Sequence, residues 1–279
     1  MNQKTLHFCV AAAVAASAVL TAQGQSNFKT STCESHDDSN SYSYSSDHRY
    51  SHCEVRTVKL AAGQPLEVDA VNGGIAVIGE DRSDIQLEAR VQTWGDSQAE
   101  ADKRAQDTTI QTANNHVRAD TPRNWHGQNS EAVNFHVLVP RHYSVKLDGV
   151  NGGISVAGLE GTMNLHTENG GISLKNCAGD VRGRTTNGSI AITAAGESWR
   201  GGGVDAETTN GSASITLPSD YSAHLEAGVV NGTIHFDFPL TMNHFNSKEI
   251  STDIGKGGPT LRLHTVNGSV SIRRGKEAS

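Results

Sequence analysis

Few residues in this chain have a type and spacing suited to chemistry, and most of those fall in one column. Asp69, Asp148, His166, Arg184, Glu207 and His264 each stand three residues before an Asn-Gly pair. Carboxylates and imidazoles held on one face can act as general acid and base, and paired carboxylates are the usual means of cutting a glycosidic bond. If successive repeats stack, Asp148, His166, Arg184 and Glu207 form a polar ladder. His166, Arg184 and Glu207 are then the residues a carbohydrate-active enzyme would use. The plainer expectation is the outward face of a strand, polar because water covers it. A second cluster comprises His36, Asp37, Asp38, Asp47, His48 and His52. Imidazoles and carboxylates together can bind Zn²⁺ or Cu²⁺, which would suit an envelope metal or stress sensor using His36, His48 and His52. Their spacing matches no defined site, and a solvated polar loop accounts for them equally. No Gly-x-Ser-x-Gly nucleophile elbow is present, and the glycine pairs lie between strands rather than opening helices. The sequence therefore yields no catalytic residue, no cofactor and no metal ligand.

The column is positioned by a phrase written seven times. Its Asn-Gly pairs start at Asn72, Asn151, Asn169, Asn187, Asn210, Asn231 and Asn267. Six residues before each Asn stand Leu66, Val145, Met163, Val181, Val204, Leu225 and Leu261, and five residues after stand Val77, Val156, Leu174, Ile192, Ile215, Phe236 and Ile272. Positions two apart on a strand share a face. Each phrase is thus two short strands, each with one buried face, meeting at a corner. Asn and Gly tolerate positive φ, which predicts that this tolerance makes the corner. Parallel stacking would also align the Asn residues, and the Thr residues two places before them (Thr167, Thr185, Thr208, Thr265), into ladders that satisfy corner backbone groups. Four corners are followed by Ser or Thr in the glycan-acceptor pattern, but their repeat position explains them without glycans.

Asn-Gly between alternating strands also suits an antiparallel hairpin in a sandwich or meander. The intervals of 79, 18, 18, 23, 21 and 36 residues favour a solenoid, because a sandwich needs no near-fixed period. The last interval is twice 18, as if one corner had lost its signature. The expected fold is all-β: a single β-solenoid or β-helix-like stack with one short helical insertion. Leu261 to Ile272 is expected to form the last coil.

Composition agrees. A hydrophobic content of 35% with only 5% aromatic residues suits a narrow core of Val, Ile and Leu, and 29 glycines suit many corners. The formal net charge of −7 gives no footing for nucleic acid phosphates.

Residues 1–24 have the form of a secretory signal, with Lys4 ahead of an Ala-rich apolar run too short for a permanent span. The expected location is therefore outside the cytoplasm, as a periplasmic, surface or secreted protein, with no stable membrane span after cleavage. Residues 25–53 are rich in Ser, Asp, His and Tyr, a composition that cannot fold by burial. Cys33 and Cys53 bracket much of this segment and, in an exported chain, are expected to pair. Cys177 has no evident partner and fits an inert, part-buried thiol. Ser97 with Glu100 is a capping box that starts the one helix, over 97–106. Trp94 and Trp125, in loop-like surroundings, are expected to close an end of the core or, as the alternative, to mark a ligand surface. Residues 54–274 form the repeat domain and 275–279 a tail.

A signal segment, strands and repeated Thr/Val-x-Asn-Gly-Gly/Ser-Ile-x-Val phrases together resemble the bacterial putative adhesin family of exported domains of unknown function, over roughly 54–274. The resemblance implies a β-solenoid-like fold and a cell-envelope location; the long polar face of an extended stack suits weak multivalent contacts with a surface or envelope ligand, glycan or protein. It brings no catalytic residues. The Cys-bracketed segment lies outside its pattern.

Overall fold

The computed structural model describes residues 28–33, 50–121, 131–238 and 248–275. The proposed signal segment, the stretch 34–49 with His36 and His48, Trp125 and the last four residues lie outside the described residues.

Each phrase folds as two strands around its Asn-Gly corner. The strands before the corners are β3 (Leu66–Asn72), β9 (Val145–Asn151), β11 (Glu160–Asn169), β13 (Ala178–Asn187) and β15 (Gly203–Asn210). Those after are β4 (Ile75–Glu80), β10 (Ile154–Ala157), β12 (Ile172–Lys175), β14 (Ile190–Thr193) and β16 (Ala213–Leu217). Two longer strands, β17 (Ala223–Phe236) and β19 (Thr260–Arg274), each run through a corner and supply both halves of a coil. Coils pair parallel and in register, corner Asn beside corner Asn. The hairpin alternative is thereby set aside, and the fold is a β-solenoid-like stack with a single short helix.

The core follows from alternation. Leu66, Val145, Met163, Val181, Val204, Leu261 and Leu225 are all buried, as are Ile75, Ile154, Ile172, Ile190, Ala213 and Val270 from the second strands. Parallel stacking places like beside like, so aliphatic columns fill most of a narrow interior.

Three details differ from expectation. First, spatial order is not sequence order. β19 lies between β15/β16 and β17, so Leu261–Ile272 forms the sixth coil and the earlier β17 forms the seventh. The 36-residue interval hides no missing corner among the described residues; it includes β18 (Glu249–Ile254), which turns back antiparallel on β17. Second, positive φ falls on only some corner residues: Gly73 has it at 128°, and Gly211 and Gly268 stand at 159°. No corner Asn has it; Asn114, Asn115 and Asn176 do. The glycines answer to crowding as well. A Cβ on Gly152 would stand 2.0 Å from the Gly73 carbonyl oxygen, and one on Gly188 2.0 Å from that of Gly170. Third, the segment 25–53 contributes strands. β1 (Lys29–Thr32) pairs antiparallel with β2 (Tyr50–Ala61), and Cys33 and Cys53 are joined. All four β1 residues are exposed. An edge strand can be held by backbone hydrogen bonds alone, so a composition with nothing to bury still adds to the sheet.

The N-terminal end of the stack is closed by longer strands: β5 (Asp84–Gly95) pairs antiparallel with β2 and with β8 (Glu131–Pro140), and β8 pairs parallel with β4. The short strands β6 (Thr109–Gln111) and β7 (His116–Asp120) extend the other face beyond β3. Helix α1 (Gln98–Asp107) starts as its capping box predicts, with the Ser97 hydroxyl accepting from the Glu100 N–H. It packs on the strands: Thr93 Oγ1 donates to Ala101 O, and Arg104 Nη1 donates to Trp94 O. Trp94 is half-buried within β5, not in a loop. Trp199 is one of several buried aromatics, with Phe135, Tyr221 and Phe238, and donates from Nε1 to Gly179 O at 2.8 Å.

Candidate functional site

Two outward columns cover the face formed by the strands before the corners. Alternation forces this: with the residues four and six before the Asn in the core, those three and five before it point to solvent. The column expected from the sequence assembles as Asp69, Asp148, His166, Arg184, Glu207, His264 and Gly228 in adjacent register. The insertion of β19 is what puts His264 next to Glu207. Beside it runs a second column that the sequence reading passed over: Glu67, Lys146, Asn164, Arg182, Asp205, Arg262 and Glu226. The signal was available, since these residues sit at a constant five before each Asn, but it shows only once coils are placed in order.

The charges alternate by coil over the second half of the face. Arg182 and Arg184 lie next to Asp205 and Glu207, which lie next to Arg262, which lies next to Glu226. Arg184 Nε donates to Glu207 Oε2 at 2.8 Å, Arg262 Nε donates to Glu226 Oε2 at 2.6 Å, and Asp205 stands 3.7 Å from both Arg182 and Arg184. At the other end Lys146 lies 3.5 Å from Asp148 and 3.8 Å from Glu67, and His116 bonds Asp69 at 2.7 Å.

The pairing has chemical consequences. The hydrogen bond from Arg184 holds the Glu207 carboxyl below the usual glutamate range, and in return Glu207 raises Arg184. The charges of Asp148 and Glu67 raise Lys146, and the hydrogen bond to Glu226 raises Arg262. A general acid for glycoside cleavage needs its carboxyl pushed the other way, by burial or a neighbouring negative charge. Glu207 is thus suited to standing as a carboxylate. The recess beside β9, lined by Gln64, Pro65, His142, Tyr143 and Glu160, is open to solvent, and its Tyr143 hydroxyl donates to the Gln64 carbonyl.

Behind the face, the corners carry two neutral ladders. Each Asn side chain donates from Nδ2 to the Oδ1 of its neighbour: Asn151 to Asn72, Asn169 to Asn151, Asn187 to Asn169, Asn210 to Asn187, Asn267 to Asn210 and Asn231 to Asn267, all at 2.9–3.1 Å. The amides satisfy one another, while the backbone is satisfied by threonine. Thr167, Thr185, Thr208 and Thr265 are buried and donate to Gly152, Gly170, Gly188 and Gly211 carbonyls at 2.7–2.9 Å.

Of the second candidate cluster only His52 lies among the described residues. Its Nδ1 is 2.9 Å from Asp102 on α1, and its Nε2 is 3.5 Å from Glu54. Hydrogen bonds from Gln98 and then His52 lower the Asp102 carboxyl. Cys177 is a free buried thiol whose pKa burial raises, as an inert cysteine requires.

Residues 136–273 match the family described as Toastrack DUF4097. No curated protein matches the chain. Among solved structures, the chain is similar to a putative cell adhesion protein from Clostridium sporogenes, at 11% identity over 81% of this chain and 100% of that one, with a TM-score of 0.42. It is similar also to a putative adhesin from Bacteroides fragilis, at 13% identity over 79% and 96% of the two chains and a TM-score of 0.38. A third likeness is to a putative lipid binding protein from Parabacteroides distasonis, at 11% identity over 80% and 97% and a TM-score of 0.31. These likenesses are remote, and no residue role is carried across from them. Repeat, stack and family match agree: residues 136–273 carry a Toastrack DUF4097 domain, a β-solenoid-like fold of unknown function.

Proposed function

We propose that this protein is a non-enzymatic exported binding module that grips a surface or envelope ligand, a glycan or a protein, along its charged ladder face. The observation that supports this most is the alternation of Arg182/Arg184, Asp205/Glu207, Arg262 and Glu226 across one sheet face. Neighbouring strands stand about 4.8 Å apart, so donors and acceptors recur at a fixed spacing. A ligand with its own repeat can meet several of them at once, and weak contacts then multiply. The lowered Glu207 carboxyl favours binding over acid catalysis.

Export is part of the same reading. Residues 1–24 act as the signal and 54–274 as the binding unit. The Cys33–Cys53 link is of a kind that persists in oxidising compartments. Among the described residues no helix is long and apolar enough to cross a membrane.

A glycan and extracellular-matrix array probed with the purified protein, with and without divalent metal, tests the reading. Specific capture without product, weakened by Arg184→Ala and Arg262→Ala, is expected. Turnover of a captured glycan, or capture that ignores both substitutions, overturns it.

A further inference from the structure

The seven corners look equivalent in sequence, but the stack makes them chemically unequal. Asn-Gly is the dipeptide in which the glycine nitrogen most easily attacks the preceding side-chain amide, because no Cβ hinders the approach. In the folded stack that nitrogen is occupied. Gly73 N donates to Asn151 O, Gly152 N to Asn169 O, Gly170 N to Asn187 O, Gly188 N to Asn210 O and Gly211 N to Asn267 O, at 3.0–3.1 Å. The sixth corner, at Asn267-Gly268, has β17 stacked on it in register. The direction is constant over these five corners: each glycine N–H points to the coil stacked beyond it.

The seventh corner, Asn231-Gly232, has no coil beyond it among the described residues. β18 pairs with β17 only from Ala223 to Gly228, short of the corner. Ile234 and Phe236 are half-buried where their counterparts in coils two to six are buried. Its Nδ2 donates to Asn267 Oδ1, and Lys248 Nζ donates to the Gly232 carbonyl. Neither bond occupies the Gly232 N–H. The opposite end of the stack differs. Asn72 also belongs to an end coil, yet its Gly73 N–H is bonded to Asn151 O.

We propose that Asn231 is a site of spontaneous deamidation, and that the polarity of the corner hydrogen bonds directs the modification to this end of the stack. The Gly232 nitrogen loses its proton to solvent base and bonds to Asn231 Cγ. The Cγ–Nδ2 bond breaks, and ammonia leaves with a proton from water, closing a succinimide. Water then opens the ring at either carbonyl, giving aspartate or isoaspartate. The product carries a new negative charge and has lost the Nδ2 donor to Asn267, so the terminal coil loses its ladder bond.

The test is peptide mapping by mass spectrometry of the full chain, aged in mildly alkaline buffer and sampled over time, with a urea-unfolded sample as reference. The folded protein should gain one mass unit first in the peptide holding Asn231. Its rate should exceed that at Asn72, Asn151, Asn169, Asn187, Asn210 and Asn267 by at least about tenfold, since those corners must open before they react. Unfolding should bring all seven to similar rates, and Asn231→Gln should remove the early gain. Equal rates at Asn72 and Asn231 would overturn the proposal, because fraying of the ends alone would then suffice. So would an inner corner reacting first, or no preference for Asn231 in the folded protein.

Discussion

The corner column and the charged face are built on the same strands, three residues apart, and do different work. Along the corner every coil presents the same groups: an Asn amide, a Gly backbone and, in four coils, a Thr hydroxyl. Any coil can therefore stack on any other there. On the face each coil is distinct. Arg182 and Arg184 require acidic neighbours, and Asp205 and Glu207 require basic ones. The corner makes a stack, and the face helps decide its order. The placement of β19 illustrates this. In sequence order β17 would follow β15, setting Glu226 against Asp205. With β19 between them, Arg262 lies beside both acids. Like charges directly opposite on adjacent strands are destabilising, and opposite charges are favourable. Gly228 supports the same order, since a Cβ there would lie 2.8 Å from the His264 ring.

Breaking the corner should have the largest effect. In Gly188→Ala, the added carbon would meet the Gly170 carbonyl at 2.0 Å, and backbone cannot give way as a side-chain tip can. We expect a loss of about 3 kcal/mol or more, or failure to fold, seen by urea denaturation. Retention of full stability would show that the glycine column is not set by close approach.

Breaking the face should cost less and should depend on salt. Arg262→Glu sets a third acid between Asp205 and Glu226. Because the pair is solvent-exposed, the loss is expected to be on the order of 1 kcal/mol, shrinking as salt is added. Adding Glu226→Arg should recover part of it, while the same exchange is meaningless at the corner, where no charge stands. Equal loss in low and high salt would remove the electrostatic reading of coil order.

The smallest effect concerns pH. Glu207 has its folded pKa lowered by Arg184, so the stability it contributes is present above the ordinary glutamate pKa and is lost as pH falls through the lowered folded value. Wild type should therefore melt slightly above Glu207→Gln near neutrality, and the gap should close in acid. A gap that widens on acidification would contradict the assignment.

Much of this was legible in the primary structure. The spacing from Leu66 to Val77, repeated around each Asn-Gly, placed the strands and their buried positions. Ser97 and Glu100 placed the helix, and Cys33 and Cys53 were paired correctly. The reason for the corner glycines was not legible, because a glycine kept for close approach of a neighbouring coil looks the same as one kept for positive φ. The second charged column was not legible either, since Arg182, Asp205 and Arg262 acquire partners only once coils are neighbours.

Local alternation and a fixed period are properties of the chain itself, so the sequence alone was enough to establish short strands, a narrow aliphatic core and a stack. The order of the coils was settled only in three dimensions. Identical corners make many orders nearly equivalent in backbone terms, and the choice falls to contacts between residues as distant as Asp205, Arg262 and Glu226. The same holds for Asn231, whose sequence matches six other corners and whose corner ends the stack because it is last in space while not last in the chain.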